Sequence, residues 1–223
     1  MTPVRAGTPL RIDFVSDVAC PWCAVGLNAL ERALERLDGE VQVELHFQPF
    51  ELNPDMPPEG ADAGVYLSRK YGTTPQQQSA ARQRIRARGA DVGFEFGERR
   101  HVWNTFDAHR LLYWAGLHAG QRALKHALLS AYHTRGENPA SRDVLVAAAA
   151  AAGLNAKEAS RVFDSGAFGP EVRERERHWQ ELGIHAVPAV IIDEKHLIAG
   201  GQPPEMFEQA LRQIAALRAR DEA

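Results

Sequence analysis

The sequence has few cysteines and no closely spaced histidines, and this shortage excludes several kinds of protein. Two cysteines in 223 residues are too few for a scaffold held by several disulfides or for a four-cysteine zinc site. No two of the nine histidines lie three to five residues apart, which is the spacing of the histidine pair in a zinc finger. We therefore expect neither a metal site nor a disulfide framework.

Long apolar runs and a strong net charge are also missing. The alanine run 147–152 is too short and too weakly hydrophobic to span a membrane. Met1–Gly7 holds no apolar segment ahead of a small-residue cleavage site, so we expect no secretory signal. A formal charge of -3 gives no electrostatic reason to expect nucleic acid or an anionic membrane as partner. The expected compartment is the cytoplasm, where structural disulfides are rare.

The two cysteines lie close together, in the motif Cys20-Pro21-Trp22-Cys23. An apolar stretch typical of a buried strand, 12–15, precedes the motif. Pro21 suits the first turn of a helix, because its missing N–H costs nothing there. Apolar residues then recur at spacings of three and four, which predicts that helix; they are Leu27, Leu30, Leu34 and Leu37. The cysteines are therefore expected between a strand and a helix.

Further elements complete a βαβ…ββα order, which is the order of an α/β thioredoxin-like fold. Residues 41–47 alternate between apolar and polar, which predicts a second strand. Near the C-terminus, 187–192 and 196–199 are predicted as antiparallel strands, with a helix over 205–217. Helical patterns fill the middle of the chain; they cover 63–71, 75–88, 105–119, 121–135, 143–152, 157–163 and 170–182.

This pattern predicts one thioredoxin-like domain interrupted by an insertion. We assign the thioredoxin-like domain to 8–52 and 183–220, and an inserted all-helical domain to 61–182. A proline-rich loop, 52–60, joins the first part to the insertion.

The cysteine motif at a helix start is typical of a redox-active dithiol. The positive end of the helix dipole and its unpaired N–H groups favour a thiolate. Cys20 is expected to be the exposed nucleophile and Cys23 the more buried resolving thiol. Pro21 and Trp22 are expected to tune the reduction potential, with Trp22 exposed beside the sulfurs. The alternatives are a structural disulfide, two unrelated core cysteines and a zinc site that lacks its other ligands.

A proline at the start of a predicted central strand, in Val187-Pro188, is unusual. In a thioredoxin fold, a cis-proline at this place faces the cysteine motif, and the residue before it exposes backbone with which a substrate peptide can pair. We therefore expect a cis Val187-Pro188 bond beside Cys20. A trans proline at the first residue of a strand is the alternative.

Several separated segments resemble the DsbA family, and more narrowly its FrnE-like branch. They are Ser16–Cys23 with Gly26, Phe50–Gly60, Asn104–Leu111 and Gly201–Glu205. The resemblance implies a thioredoxin fold with a helical insertion and thiol–disulfide oxidoreductase activity. It implies that Cys20 is the nucleophile, Cys23 the resolving cysteine and Pro188 the cis-proline. The chain lacks the second, C-terminal cysteine pair of some FrnE-like proteins, so a relay between two dithiols within it is excluded.

Two other functions stay open. The same superfamily contains glutathione-dependent 2-hydroxychromene-2-carboxylate isomerases and kappa-class glutathione transferases, in which a serine resembles the position of Cys20. The presence of both Cys20 and Cys23 favours dithiol chemistry over that of these enzymes. The other alternative is a redox-regulated binding protein or chaperone whose disulfide only switches its shape.

The predicted reaction needs no metal and no cofactor besides the Cys20–Cys23 disulfide, with glutathione as a candidate co-substrate. The expected partners are a disulfide- or thiol-containing protein or small molecule and an external thiol reductant or oxidant. We expect no nucleic-acid or membrane partner, and a monomer or homodimer. Asn53 is a candidate substrate-binding residue, since related glutathione-binding enzymes use the loop after the second strand; an Asn-Pro turn is the alternative. Asp17 is expected to hold or cap the loop before the motif.

Overall fold

The computed structural model describes residues 9–221. The prediction for Met1–Gly7 and the first residue of the predicted thioredoxin-like domain, residue 8, lie outside this range. The strands are β1 Leu10–Ser16, β2 Val43–Pro49, β3 Ala61–Asp62, β4 His101–Val102, β5 Ala189–Ile192 and β6 His196–Ala199. The helices are α1 Pro21–Arg36, α2 Ala63–Tyr71, α3 Pro75–Asp91, α4 Phe106–Gly116, α5 Gln121–His133, α6 Arg142–Ala151, α7 Ala156–Asp164, α8 Gly169–Glu181 and α9 Pro204–Asp221.

Four strands form a mixed sheet in the order β2-β1-β5-β6. β1 pairs in parallel with β2, placing Phe14 opposite Phe47, and β5 is antiparallel to both β1 and β6. Parallel neighbours require a crossover, which α1 supplies. The predicted βαβ…ββα order and the thioredoxin-like fold are confirmed.

The predicted apolar face of α1 packs against the sheet. Leu27, Leu30 and Leu37 have no exposed surface, and they lie in one cluster with Phe14 of β1 and Phe207 of α9. A second apolar cluster is formed by the four helices α4, α5, α6 and α7, and it also includes Val18 and Ala19 from the loop before the cysteines. Its members in the helices include Leu111, Leu124, Leu128, Leu145 and Val162. The loop that carries the motif thus lies between two cores. The division of the chain into two domains stays a prediction.

Local capping explains where several helices begin and end. Thr74 starts α3 with a capping box, because its hydroxyl accepts from the Gln77 N–H at 3.2 Å and its own N–H donates to the Gln77 side chain at 2.8 Å. Asn155 caps α7 in a similar way. α4 ends earlier than predicted, and Ala119, the predicted last residue, has a φ of 56° that no α-helix contains.

Some strand boundaries differ from the predictions. β2 begins at Val43 and β5 at Ala189, two residues later in each case, and Pro188 has no N–H to donate to the sheet. The two-residue strands β3 and β4 were not predicted, because two residues are too few to show a period. Within residues 9–221, no helix combines the length and apolar character needed to cross a membrane.

Candidate active site

The cysteine motif lies where β1 gives way to α1. Cys20 is the N-cap residue of α1, with φ -88° and ψ 113°, and Pro21 opens the first turn as predicted. The N–H of Cys23 donates to the carbonyl of Cys20 at 3.1 Å, which keeps the two cysteines in one helical turn. Both cysteines are free thiols. The motif therefore has the strand–helix setting that the sequence predicted.

The two cysteines differ in burial, but neither is exposed. The relative exposure of Cys20 is 4% and that of Cys23 is 0%. The prediction of an exposed Cys20 is therefore wrong, whereas the prediction that Cys23 is the more buried of the two is confirmed. Cys20 is covered because its thiol donates to the carbonyl oxygen of Val187 at 3.6 Å and because the apolar cluster of α1 surrounds both residues.

The peptide bond between Val187 and Pro188 is cis and lies beside Cys20, as expected. Pro188 approaches α1 at Gly26, where an added Cβ would lie 3.0 Å from the proline Cγ. Gly26 thus lacks a side chain at the point where the helix and the proline are in closest contact. The carbonyl of Pro188 accepts from the N–H of Gly200 at 2.8 Å, which connects it to the end of β6.

Trp22 is half-buried and packs against the main core, so the prediction that it is exposed is wrong. The turn after β6 covers it. A Cβ on Gly201 would lie 3.1 Å from the carbonyl oxygen of Trp22 and 3.4 Å from its indole ring. The backbone of this turn therefore contacts the cysteine motif directly.

Asp17 holds the loop before the motif with several hydrogen bonds, as its predicted loop role requires. Its carboxylate accepts from the N–H of Ala19 at 2.9 Å and from the N–H of Leu52 at 2.7 Å. It also accepts from the hydroxyl of Thr105 at 2.8 Å, and the Nε2 atom of His109 lies 3.4 Å away. A fully buried carboxylate thus joins the motif loop to the loop after β2 and to the start of α4.

These contacts keep Asp17 ionised. Burial alone would raise the pKa of the carboxyl, but the bond to His109 and the N–H groups of Ala19 and Leu52 lower it below its ordinary value. The negative charge below the motif is therefore a fixed part of the site.

One face of α5 points toward the motif. Lys125, Leu129 and His133 recur at intervals of four residues, and all three are buried. Leu129 packs in the cluster that contains Cys23, and the Nε2 atom of His133 donates to the carbonyl of Val18 at 2.8 Å. Burial and the nearby positive charges lower the pKa of His133 to about 3, so the ring is neutral and acts as a hydrogen-bond donor.

Lys125 is a buried cation near the inner cysteine. Its relative exposure is 1%. Burial lowers the pKa of Lys125, while Cys23 and Asp17 raise it. Burial and the neighbouring Cys20 raise the pKa of Cys23 well above its ordinary value, and Lys125 opposes this. Lys125 was not predicted as part of the site, although a lysine on the apolar face of a predicted helix indicated a buried charge.

Asn53 lies against α2. Its side-chain oxygen accepts from the hydroxyl of Tyr66 at 2.7 Å and from the ammonium of Lys70 at 2.8 Å. Its carbonyl accepts from the N–H of Met56 at 3.1 Å, which forms the turn that was the alternative prediction. A substrate-binding role of Asn53 stays a prediction.

Two buried glutamates lie close together, Glu51 in the loop after β2 and Glu176 on α8. Arg173 donates to both Glu51 and Glu176, while one carboxylate oxygen of each glutamate is buried with no hydrogen-bond partner in the described chain. Burial and the neighbouring Glu176 raise the pKa of Glu51 from 4.5 to about 7, against the opposing effects of His109 and Arg173. Glu51 is therefore partly protonated at neutral pH.

Replacing Glu51 with glutamine is expected to reduce the pH dependence of stability between pH 4.5 and 7. In this window the folded chain holds a proton that the unfolded chain has released, so the free energy of unfolding of the natural chain falls as pH rises. One proton accounts for at most about 1.4 kcal/mol per pH unit. Urea unfolding across this window measures the slope. Glu174→Gln, at an exposed position of α8, should keep the natural slope, and an unchanged slope in Glu51→Gln would contradict the raised pKa of Glu51.

No group of three or more metal-binding side chains is found among residues 9–221. A comparison with protein families matches the chain over residues 11–212 to the DSBA-like thioredoxin domain. The chain belongs to the DSBA-like thioredoxin domain family. Thiol–disulfide oxidoreductase, the enzyme class that the sequence predicted, is confirmed by this membership and by the DsbA-type structures that the chain resembles.

Solved structures and one curated protein are similar to this chain. A probable DsbA oxidoreductase from Streptomyces coelicolor matches with a TM-score of 0.84 and 34% identity, over 92% of this chain and 89% of that one. The cytosolic disulfide reductase DsbM from Pseudomonas aeruginosa, solved with GSH, has a TM-score of 0.65 and 18% identity over 92% and 99%. A 2-hydroxychromene-2-carboxylate isomerase has a TM-score of 0.69 and 14% identity over 94% and 98%. The Bacillus subtilis protein YwbO is 25% identical over 91% of this chain and 96% of its own length.

Proposed function

We propose that Cys20 and Cys23 form the redox centre of this DsbA-like thiol–disulfide oxidoreductase. One observation carries the proposal: the thiol of Cys20 lies on the carbonyl beside the cis-proline, while Cys23 lies inside the same helical turn without any exposed surface. Cys20 keeps a small exposed fraction of 4% and Cys23 has none, so Cys20 is the one of the two that a second molecule would meet first.

In the reducing direction, the Cys20 thiolate attacks one sulfur of a substrate disulfide. A mixed disulfide forms, and the other substrate sulfur leaves as a thiolate that takes up a proton. Cys23 then loses its proton and attacks Cys20, which releases the second substrate thiol and leaves a Cys20–Cys23 disulfide. The substrate gains two electrons and two protons, and the cysteine pair loses them. Oxidation of a substrate dithiol follows the same steps in reverse.

The burial of the two sulfurs supports this division of roles. Because the pKa of Cys23 is raised, the inner thiol holds its proton while Cys20 reacts first. Its later deprotonation creates a buried anion, and the charge of Lys125 favours that anion. Lys125 thus assists the resolving step without contacting the substrate.

The chain has two cysteines only, so electrons must come from or go to another molecule. We propose an external thiol such as glutathione in this role, in the cytoplasm. The likeness to DsbM, a cytosolic reductase solved with GSH, supports glutathione as the thiol and the cytoplasm as the compartment. The direction of electron flow follows from the reduction potential of the pair and from that of the surrounding thiols.

A second candidate is glutathione-dependent isomerisation of a small aromatic compound. The likeness of the fold to a 2-hydroxychromene-2-carboxylate isomerase favours it. Such a reaction would not need Cys23, so Cys23→Ser would leave it largely intact while two-electron dithiol turnover is lost. A redox-regulated binding protein, the third function, would bind its partner in one redox state and catalyse no disulfide exchange.

Trapping the mixed disulfide tests the proposal. Cys23→Ser incubated with oxidised glutathione should retain one glutathione on Cys20, because the resolving thiol is missing. Intact-mass measurement and peptide mapping identify the adduct and its position. Cys20→Ser, treated in the same way, should stay unmodified because Cys23 is buried. An adduct on Cys23 of Cys20→Ser, or none on Cys20 of Cys23→Ser, would overturn the proposed roles.

A further inference from the structure

A groove lined by arginines leads away from the cysteine motif. Its larger part, of about 700 Å³, lies between α3 and the segment 97–101, and a smaller hollow of about 60 Å³ continues it to Pro21 of the motif. The two parts share Arg82, Arg86 and Arg99 in their walls. We call the two together the arginine groove. It reaches from Pro21, which lies between the two cysteines in sequence, to the exposed surface of α3.

The charges that face the groove are mainly positive. Basic side chains come from α3, the 97–101 segment and β4; they are Arg82, Arg86, Arg99, Arg100 and His101. The two acidic residues in the wall are already engaged, since Glu98 pairs with Arg100 at 2.9 Å and Asp62 accepts from the N–H of Val65 as the cap of α2. The charge of Arg100, and to a smaller extent those of Arg86 and Arg82, lower the pKa of the Glu98 carboxyl, so this glutamate offsets part of the positive charge of the groove. The groove is thus positive on a chain whose formal net charge is -3.

The spacing of the two α3 arginines matches an extended peptide. Arg82 and Arg86 are four residues apart and therefore lie about 6 Å from each other along the helix axis. Alternate side chains of an extended chain repeat at about 6.6 Å on one face. Carboxylates at every second position of an extended segment would therefore meet both guanidinium groups.

One end of the groove lies beside Ala19 and Pro21, the two neighbours of Cys20 in sequence. Arg99 donates to the carbonyl of Ala19, the residue before Cys20, at 3.0 Å. Burial and Cys20 raise the pKa of Tyr71, and Arg99 opposes them. A peptide joined to Cys20 through a mixed disulfide would thus have its neighbouring residues at Arg99 and, further along, at α3.

We propose that the arginine groove binds an acidic, extended segment next to the disulfide or thiol of a protein substrate. This inference rests on the proposed function and specifies its substrate class. The spacing of Arg82 and Arg86 selects a peptide with carboxylates at alternate positions. Because Arg82 and Arg86 are exposed, their attraction for the carboxylates of the peptide weakens as ionic strength rises.

The test compares two disulfide peptides of equal length that carry either glutamates or lysines at alternate positions beside the cystine. The natural chain should reduce the acidic peptide with a kcat/KM about tenfold higher at low salt, and this preference should decline at high salt. Arg82→Glu/Arg86→Glu should abolish or invert the preference. Arg84→Glu/Arg177→Glu, which changes the net charge equally at exposed positions outside the groove, should keep it.

A neutral small disulfide, bis(2-hydroxyethyl) disulfide, distinguishes a failure of the proposed function from a failure of the groove proposal. All these variants should reduce it at the natural rate, which also shows that they are folded. If the natural chain does not reduce it, the proposed function fails. If the natural chain reduces this small disulfide but has the same kcat/KM for the acidic and the basic peptide, the groove proposal is overturned. It is also overturned if oxidised glutathione shows the same loss in Arg82→Glu/Arg86→Glu as the acidic peptide, because the site would then select a small anion.

Discussion

Replacing Cys20 with serine is expected to lower the rate of disulfide reduction by at least about a thousandfold, because a hydroxyl at this position neither ionises near neutral pH nor forms a mixed disulfide. Steady-state turnover of bis(2-hydroxyethyl) disulfide with excess glutathione measures the loss. The substitution exchanges one atom in a position of 4% exposure, so the fold should stay unchanged.

Cys23→Ser is the matched control for this loss. It keeps the attacking sulfur, so its first mixed disulfide should form at the natural rate, and only the step that closes the Cys20–Cys23 disulfide should disappear. If Cys20→Ser retained a tenth of the natural rate, or if Cys23→Ser lost the first step as well, Cys20 would not be the nucleophile.

The second large effect concerns Asp17. Asp17→Ala is expected to lower the free energy of unfolding by about 3–5 kcal/mol, because it leaves the N–H groups of Ala19 and Leu52 and the hydroxyl of Thr105 without a partner. Chemical denaturation with urea measures the change.

Asp62→Ala provides the comparison at an exposed position. Asp62 makes one capping bond, to the N–H of Val65 at 2.9 Å, so its loss should cost about 1 kcal/mol. Equal losses in the two variants would contradict the role of Asp17 as the residue that joins three segments. A stable Asp17→Ala would also show that the loop before the motif holds its position without the carboxylate.

Local pattern explains why much of the fold could be predicted. The leucines of α1 recur with a helical period, and they are the residues buried against the sheet. The caps at Thr74 and Asn155 are local as well, because each joins residues no more than three positions apart in sequence. The pairing of β3 with β4 could not be predicted, since residues 63–100 separate two segments of two residues each.

The motif residues of the candidate site were predicted, whereas their surroundings were not. Cys20, Cys23 and the cis Val187-Pro188 bond follow from a short motif and its setting. The low exposure of Cys20 depends on the carbonyl of Val187, which lies 167 residues away in sequence. Such a contact has no local signal.

The buried polar residues illustrate the same limit. Lys125 and Glu51 lie in helical and loop segments where a charged residue is ordinarily solvated, and only the tertiary structure places them in the interior. Asp17 was assigned a loop role from its position, but its bonds to Leu52 and Thr105 come from parts of the chain that the sequence does not connect.

The redox equilibrium of the natural chain with glutathione tests the central claim most directly. Samples equilibrated at set ratios of reduced to oxidised glutathione are quenched in acid, alkylated and weighed by mass spectrometry. We predict that Cys20 and Cys23 lose their thiols together in a single two-electron transition to the intramolecular disulfide, with a potential between about -270 and -120 mV. Cysteines that stay reduced at every ratio, or that accumulate separate glutathione adducts instead of the shared disulfide, would contradict the account.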